Sequence, residues 1–279
     1  MTKLAVLCSG RGTDLQSIID AIQRGELQAE ISIVITDKPN VKALERAEVA
    51  GIKNICVDRN LFATRADFEA ELLKNLAEID LVVLAGFMRI LSPEFVKKFQ
   101  WRMMNIHPSL LPSFPGAHAH KDALAHGVKI SGCTVHFVDE GTDSGPIILQ
   151  AAVEVKDDDT EETLSARILE QEHIIYPQAI QLFVEGRLKI EGRHVKILEV
   201  KYMTESKDPR RLIGMLMESL EFQEYVAENL TKELKQFDTT EELLPLMKSY
   251  SEKLKEQRDF IEKISHTAEA GLYKKTETE

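Results

Sequence analysis

Residues 3–22 read KLAVLCSGRGTDLQSIIDAI and contain the first strand–turn–helix unit of the chain. The apolar run at 4–7 predicts a buried strand, and the glycines that follow predict a tight turn at 9–14. Apolar side chains then recur at helical spacing on one face: Leu15, Ile18, Ile19 and Ile22. A turn of this kind exposes backbone N–H groups at the positive end of a helix, where they suit a phosphate. A plain strand-to-helix turn is the alternative.

Strand and helix patterns alternate through the following segments. The predicted strands are 31–35, 52–57 and 80–85, and the predicted helices are 41–50, 64–76 and one that opens at Ser92-Pro93. This alternation predicts an α/β fold with a doubly wound, mostly parallel sheet. Ligands of such sheets bind beyond the carboxyl ends of the strands, so we expect the segments 10–14, 86–91 and 105–112 to converge on one crevice.

The pattern changes after Pro115-Gly116. Two strands at 132–138 and 147–155, joined by a polar loop, predict an antiparallel addition to the sheet. A helix follows at about 161–185, interrupted near Tyr176-Pro177, and a strand-like piece at 195–200 closes the unit. We therefore predict a catalytic domain at 1–203.

The segment 204–279 differs in kind, because glycine almost vanishes and Lys and Glu alternate along helical patterns. Apolar residues recur every four positions from Phe222 to Leu234, and at near-heptad spacing from Leu243 to Ile264. This predicts a helical extension of two or three amphipathic helices, which must pack on a neighbour or a partner. A homodimer through this extension is one hypothesis.

The composition excludes several classes of function. A net charge of −11 argues against nonspecific affinity for nucleic acid. Cys8, Cys56 and Cys133 are too widely spaced for a zinc motif or a disulfide framework. No apolar stretch is long enough to span a bilayer, and the start of the chain is too short for a secretory signal. We expect a cytoplasmic protein that binds neither membrane nor nucleic acid.

A second candidate site combines an amide, an imidazole and a carboxylate. Asn105 and His107 lie two residues apart, so their side chains share one face if the backbone there is extended. Asp143 lies in the glycine-containing loop 139–146, and a carboxylate beside His107 would orient the imidazole and favour its protonated form. Such a set can stabilise a tetrahedral intermediate and transfer protons in acyl transfer.

Each member of these sites also has a structural interpretation. Asn105 would then cap a turn, His107 would be a hydrogen-bonded loop histidine, and Asp143 would be an ordinary turn residue. Asp14 would repel a phosphate, and as an alternative it would cap the first helix.

Four more histidines lie nearby in the chain: His118, His120, His126 and His136. Their irregular spacing argues against a metal site, so we predict that no metal is bound. His136 either lines the crevice or bonds to neighbours within its strand.

Five motifs make the resemblance to a known family specific. They are SGRGT at 9–13, LAGFMRILSP at 84–93, NIHPSLLP at 105–112, DSGP at 143–146 and QEHIIYP at 171–177. In order and spacing the chain resembles the phosphoribosylglycinamide formyltransferases, folate-dependent enzymes of purine synthesis. The resemblance covers residues 1–200 and implies the formyltransferase fold.

The resemblance implies transfer of a formyl group from the co-substrate 10-formyltetrahydrofolate to the amine of 5-phosphoribosylglycinamide, a step of de novo purine biosynthesis. It makes His107 the general acid, Asn105 the oxyanion partner and Asp143 the group that tunes His107. The positions that match the ribonucleotide side are Gly12, Thr13, Asp14 and Glu172. Those that match the folate side are Arg65, Met88, Arg89, Ile90, Leu91, Asn105, Asp139, Glu140, Gly141, Thr142 and Asp143.

Asp14 departs from the family pattern, which commonly has asparagine there, so its phosphate contact would have to come from the backbone N–H. Two related enzymes are rivals. A methionyl-tRNA formyltransferase should carry a basic C-terminal domain, whereas the segment 204–279 is mixed in charge. A formyltetrahydrofolate deformylase usually has a small domain before the catalytic one, whereas here the first strand pattern begins at once. A noncatalytic ligand-binding protein is a rival from another class.

Overall fold

The computed structural model describes residues 1–198. The strands are β1 (Thr2–Cys8), β2 (Ala29–Thr36), β3 (Asn54–Cys56), β4 (Leu81–Leu84), β5 (Met103–His107), β6 (Ile130–Phe137), β7 (Ile147–Glu154), β8 (Leu188–Glu191) and β9 (His194–Ile197). The helices are α1 (Thr13–Gln23), α2 (Lys42–Val49), α3 (Arg65–Lys74), α4 (Pro93–Lys98), α5 (Ala119–Ala125) and α6 (Glu161–Val184). The extension predicted at 204–279 lies outside the described residues.

The described strands form one sheet in the order β3-β2-β1-β4-β5-β6-β7-β9-β8. Strands β1 to β5 are parallel to one another, whereas β6 runs antiparallel to both β5 and β7. The prediction of a doubly wound, mostly parallel sheet with an antiparallel addition is therefore confirmed. The strand order reverses between β1 and β4, and their carboxyl ends flank the crevice where such folds bind ligands.

The sheet is buried between two apolar layers, which explains the nearly continuous apolar runs of its central strands. Leu4 and Val6 of β1 face one layer, to which α1 and α6 contribute Leu15, Ile18, Leu164 and Ile168. Ala5 and Leu7 face the other layer, to which α3 and α4 contribute Phe68, Leu72 and Phe95. Helices on both faces leave the carboxyl edge of the parallel strands free to form a site.

Helix α6 contradicts the predicted interruption at Tyr176-Pro177, because it continues through Pro177 to Val184. Both residues are buried, and the Tyr176 hydroxyl donates to the carbonyl oxygens of Leu84 at 2.9 Å and Met104 at 3.1 Å. Proline removes one backbone hydrogen bond from the helix. Packing of the buried ring and these bonds to β4 and β5 hold the helix on the sheet in spite of that loss.

Several short elements differ from the sequence prediction. The third strand covers only Asn54–Cys56, and the last strand covers His194–Ile197. Strand β8 (Leu188–Glu191) and helix α5 (Ala119–Ala125) were not predicted. These elements are too short to carry a clear apolar period, so tertiary pairing decides where they form. In the described part of the chain, no helix is long and apolar enough to cross a membrane.

Candidate active site

The turn after β1 is closed by a glycine whose backbone lies in the left-handed region. Gly12 is the N-cap of α1 with φ 66° and ψ 36°, a conformation that glycine adopts without strain. A Cβ at Gly12 would lie 2.8 Å from the Cβ of Ala43, and the Ala43 N–H donates to the Gly10 carbonyl at 3.1 Å. Asp14 is the second residue of α1, so its interpretation as the helix cap is wrong.

The turn after β1 is tied to the loop after β4. The Ser9 N–H donates to the Gly86 carbonyl at 3.1 Å, and the Met88 N–H donates to the Ser9 hydroxyl at 2.8 Å. These bonds lie where the strand order reverses. The predicted convergence of the first two loops is thus confirmed.

Asn105 and His107 both belong to β5, so the extended backbone directs their side chains to the same face. The interpretation of Asn105 as a turn cap is therefore wrong. Asn105 pairs with His136 across the antiparallel β5–β6 ladder, and its Nδ2 lies 3.2 Å from His136 Nε2. Strand register thus brings together two side chains that lie 31 positions apart in the chain.

His136 is 2 % exposed, and burial lowers its pKa. Its Nδ1 lies 2.9 Å from the carbonyl oxygen of Phe137, which can only accept, so this nitrogen carries the proton. The unprotonated Nε2 then accepts a hydrogen bond from the Asn105 amide. The interpretation of His136 as a strand histidine that bonds to its neighbours is confirmed, whereas its place in the crevice stays a prediction. One hydrogen of Asn105 Nδ2 remains for another acceptor.

His107 is 4 % exposed and faces an acceptor on each side of its ring. Its Nε2 lies 2.8 Å from the carbonyl oxygen of Phe114, and its Nδ1 lies 3.4 Å from Asp143 Oδ2. Carbonyl and carboxylate oxygens accept hydrogen bonds, so a ring that carries both protons satisfies both partners. Phe114 has no place in the sequence prediction, because the contact uses its backbone and leaves no signal in residue type.

Asp143 links the two histidines from a strained loop. Its φ is 50°, an unusual conformation for a residue other than glycine. Its Oδ2 accepts from the Gly116 N–H at 2.8 Å, and its Oδ1 lies 3.8 Å from His136 Nε2. The side chains of Asn105, His136, Asp143 and His107 therefore form one continuous cluster, called here the Asn–His–Asp cluster.

The close approach of this loop to β6 requires a glycine. A Cβ at Gly145 would lie 1.7 Å from the carbonyl oxygen of Phe137. Asp139 closes the same loop, because its Oδ1 accepts from the Gly141 N–H at 3.1 Å and from the Ser144 hydroxyl at 2.6 Å. Glu140 pairs with Lys97 of α4 at 3.2 Å, and Thr142 is exposed.

The predicted apolar wall on the folate side is accessible. Met88 and Ile90 are 71 % and 75 % exposed, whereas Leu91 is half-buried. Arg89 Nε lies 2.5 Å from Oδ2 of Asp37, a fully buried residue at the end of β2. The guanidinium thus pairs with Asp37, which sequence reasoning did not single out. The remaining guanidinium N–H groups and the backbone of Arg89 have no partner among the described side-chain hydrogen bonds.

Arg65 is the first residue of α3, and its side chain is 52 % exposed. It lines a groove of about 460 Å³ between α3 and α4, beside Ser92 and therefore next to Leu91. Its Nε lies 3.8 Å from Oε1 of the buried Glu69. The structure places Arg65 beside the predicted apolar wall rather than in the Asn–His–Asp cluster.

Two carboxyl groups, one at the start of α1 and one on α6, are buried within range of each other's charge. Asp14 and Glu172 are each 8 % exposed, and Asp14 Oδ1 lies 3.8 Å from Nε2 of His173. Burial raises the pKa of Asp14 to about 6, partly offset by Arg11. Burial and the charge of Asp14 raise the pKa of Glu172 to about 8. Sequence reasoning assigned both residues to one substrate, and folding brings them together.

Within residues 1–198, no three His, Cys, Asp or Glu side chains are arranged to hold a metal ion. The absence of a metal from the reaction stays a prediction.

The fold and the Asn–His–Asp cluster together define a class of one-carbon transferases. Residues 2–180 match the family model described as Formyl transferase. The chain belongs to the formyl transferase family.

Relatives within the family are of two kinds. The chain is 49 % identical to the human trifunctional purine biosynthetic protein adenosine-3 over 201 residues, which are 71 % of this chain and 20 % of that protein. It is 45 % identical to phosphoribosylglycinamide formyltransferase of Escherichia coli over 189 residues, which are 67 % of this chain and 89 % of that enzyme. The chain thus spans only a fifth or less of the trifunctional relatives.

A solved structure supports the same assignment. The crystal structure of glycinamide ribonucleotide transformylase 1 from Symbiobacterium toebii matches with a TM-score of 0.70 and 50 % sequence identity. The match covers 71 % of this chain and 95 % of that one.

Proposed function

We propose that this chain transfers the formyl group of 10-formyltetrahydrofolate to the primary amine of 5-phosphoribosylglycinamide, a step of purine biosynthesis. The observation that carries the proposal is the Asn–His–Asp cluster at the carboxyl end of β5, at the same edge of the sheet as the glycine turn of α1. The relatives named for this reaction support it. The folate is a co-substrate that carries the one-carbon group, and the reaction needs no metal.

In the proposed reaction the amine nitrogen attacks the formyl carbon, and the carbonyl electrons move to oxygen. The free Nδ2 hydrogen of Asn105 donates to this oxyanion, and a protonated His107 donates to it through Nδ1–H, whose contact with Asp143 at 3.4 Å is the longer of its two. The intermediate then collapses and the bond from the formyl carbon to the folate nitrogen breaks. The proton lost by the amine reaches that nitrogen through His107, with Asp143 stabilising the imidazolium. No covalent enzyme intermediate is formed.

The ribonucleotide is proposed to bind at the N-terminus of α1. Backbone N–H groups at Gly12 and Thr13 and the Thr13 hydroxyl suit its phosphate. Asp14 and Glu172 complete this end of the site.

The folate is proposed to lie against the exposed apolar residues of the loop after β4, Met88, Ile90 and Leu91. The loop 139–143 suits the polar edge of the pterin through Asp139, Glu140, Gly141, Thr142 and Asp143. Arg65 lies where it can pair with a carboxylate of the folate, and Arg89 contributes through its backbone because its side chain pairs with Asp37.

The proposal is tested by incubating the purified full chain with both substrates and following formyl transfer to the ribonucleotide amine. We expect one formyl group transferred per folate consumed. Parallel reactions contain initiator methionyl-tRNA or water alone in place of the ribonucleotide. Formylation of the tRNA, or folate hydrolysis without a ribonucleotide product, would support the corresponding rival enzyme, and no reaction in any of them would refute the proposal.

Substituting Asp143→Asn should lower kcat by about tenfold to a hundredfold, because general acid–base assistance is worth this much or more. The amide still accepts from the Gly116 N–H, but it places no negative charge beside His107. We expect the KM of the ribonucleotide to stay within about twofold, since Asp143 contacts the histidines. Steady-state kinetics give both constants.

The matched control is Asp157→Asn, since Asp157 pairs with Lys129 at the surface. This variant should keep the wild-type rate. An unchanged kcat in the Asp143 variant would remove Asp143 from the mechanism.

The division into a catalytic domain at 1–203 and an extension at 204–279 is likewise a proposal. The role of the extension in a homodimer is a hypothesis, and light scattering tests it by giving the mass of the full chain in solution.

We also propose a cytoplasmic location, supported by the free thiols of Cys8, Cys56 and Cys133. Fractionation of cells that express the chain tests it.

A further inference from the structure

The phosphate turn contains a carboxylate oxygen without a partner. Oδ1 of Asp14 is buried and has no hydrogen-bond partner among the described residues. The Asp14 side chain keeps only 12 % exposure, so water solvates it poorly. A buried ionised carboxylate without compensating bonds is costly, and a charge at this position would also repel a bound phosphate.

The groups that surround Asp14 supply little positive charge to stabilise its ionised carboxylate. Burial raises the pKa of the Cys8 thiol on β1 and the Tyr176 hydroxyl on α6, and it raises that of Cys133 on β6 to about 12, so all three stay neutral. Asp37 at the end of β2 is already paired with Arg89. Arg11 is the cation that acts on Asp14, and it only partly offsets the effect of burial.

His173 cannot serve as a strong cation for Asp14 either. Its Nε2 is buried without a hydrogen-bond partner among residues 1–198, at 3.8 Å from Asp14 Oδ1. Burial lowers the pKa of His173, and the charge of Arg46 lowers it further. The remaining ionisable neighbour is Glu172, a second buried carboxyl group on the adjacent position of α6.

Two buried carboxyl groups that repel one another tend to retain one proton between them. We propose that Asp14 and Glu172 act as one carboxyl pair, and that the phosphate end of the ribonucleotide binds only when this pair holds a proton. The inference rests on the proposed function, since it assigns Asp14 and Glu172 to the ribonucleotide side. It makes the pair a determinant of substrate affinity that releases the ribonucleotide as the pH rises.

The direction of the effect follows from the charge of the pair. The singly protonated pair carries one negative charge and a hydroxyl donor, whereas the fully ionised pair carries two charges and no donor. Both carboxyl groups have raised pKa values, to about 6 for Asp14 and about 8 for Glu172, so the second charge develops in the alkaline range. Ribonucleotide binding should therefore weaken above about pH 8.

The test is calorimetric titration of the full chain with 5-phosphoribosylglycinamide, without folate, from pH 6.5 to pH 9. The wild-type Kd should rise about tenfold between pH 7 and pH 9, because the protonated fraction falls about tenfold per pH unit beyond the last ionisation. Asp14→Asn limits the site to at most one negative charge and supplies a permanent donor, so its Kd should change less than about twofold. Protonation changes of the substrate itself affect the wild type and the variants equally, so they cancel when the pH profiles are compared.

Two further variants test whether the pH dependence of Kd comes from Asp14 and Glu172. Asp20→Asn is the same substitution on the same helix, where the Asp20 carboxylate accepts from the Gln16 amide, and it should keep the wild-type pH profile. Glu172→Gln should flatten the profile as Asp14→Asn does, and it serves as the second variant if the first does not fold. Titrations of the wild type in two buffers of different ionisation enthalpy should show an uptake of about one proton at pH 9.

If Kd rose with pH by the same slope in the wild type, Asp14→Asn and Glu172→Gln, the proposed shared proton would be wrong. The proposed formyl transfer would be unaffected by that result. Failure of the wild type to bind the ribonucleotide at any pH would instead overturn the proposed function, and this inference with it.

Discussion

Replacing His107 with alanine should lower kcat/KM for formyl transfer about a thousandfold, which is the range for loss of a general acid that also supports the oxyanion. The imidazole is buried between the Phe114 carbonyl and the Asp143 carboxylate, so water cannot take its place with the same orientation. Because the proposed interactions form in the transition state, kcat should fall as much as kcat/KM. Initial rates with both substrates give the two constants.

The control for this change is His194→Ala, because His194 is an exposed residue at the start of β9. It should keep wild-type kinetics. Circular dichroism checks that the His107 variant folds, since the substitution also removes a bond to the loop that carries Phe114. A folded His107 variant with a rate within tenfold of the wild type would contradict the proposed mechanism.

Replacing Asn105 with alanine should lower kcat by about a hundredfold to a thousandfold, the usual effect of losing one oxyanion donor. The amide is held by His136 Nε2 at 3.2 Å, so its second hydrogen is oriented before the substrate arrives. Folate binding should weaken much less than kcat, because Asn105 is one of several folate-side positions and the apolar wall at Met88, Ile90 and Leu91 is untouched. Steady-state rates and quenching of protein fluorescence by the folate separate the two effects.

Two comparisons define the role of Asn105. Asn60→Ala changes an exposed asparagine of a 3₁₀ turn and should leave the rate unchanged. Asn105→Asp keeps the size of the side chain but opposes an oxyanion with a carboxylate, so it should be at least as slow as the alanine variant. An aspartate variant that is faster than the alanine variant would argue that Asn105 does not donate to an oxyanion.

The layered α/β fold followed from the sequence because its signals are local. Apolar runs such as 4–7 and 81–85 are buried on both faces, and helical spacing in α1 marks the side that packs on the sheet. Where a local signal competed with packing, the prediction failed. Pro177 predicts a break, but burial of Tyr176 and its bonds to β4 and β5 keep α6 continuous.

The sequence predicted the positions of the candidate catalytic groups only in part. Two-residue spacing correctly placed Asn105 and His107 on one face, since it requires only an extended backbone. Asp143 was predicted from its glycine-containing loop, and the resemblance to a family supplied Glu172. Residue type gave no indication of the Phe114 carbonyl or the Gly116 N–H, because contacts of the backbone are independent of side-chain identity.

The sequence by itself therefore determined the alternation of strands and helices in the parallel part of the sheet, the glycine turn before α1, and the presence of an amide and an imidazole on one extended segment. Only the tertiary structure decided which acceptors face His107, that His136 orients Asn105, and that Asp14 and Glu172 lie buried near each other. The physical reason is the separation along the chain over which each interaction acts. Periodicity and turn chemistry act over a few residues, whereas these contacts join distant segments through strand register, loop closure and the packing of α1 on α6.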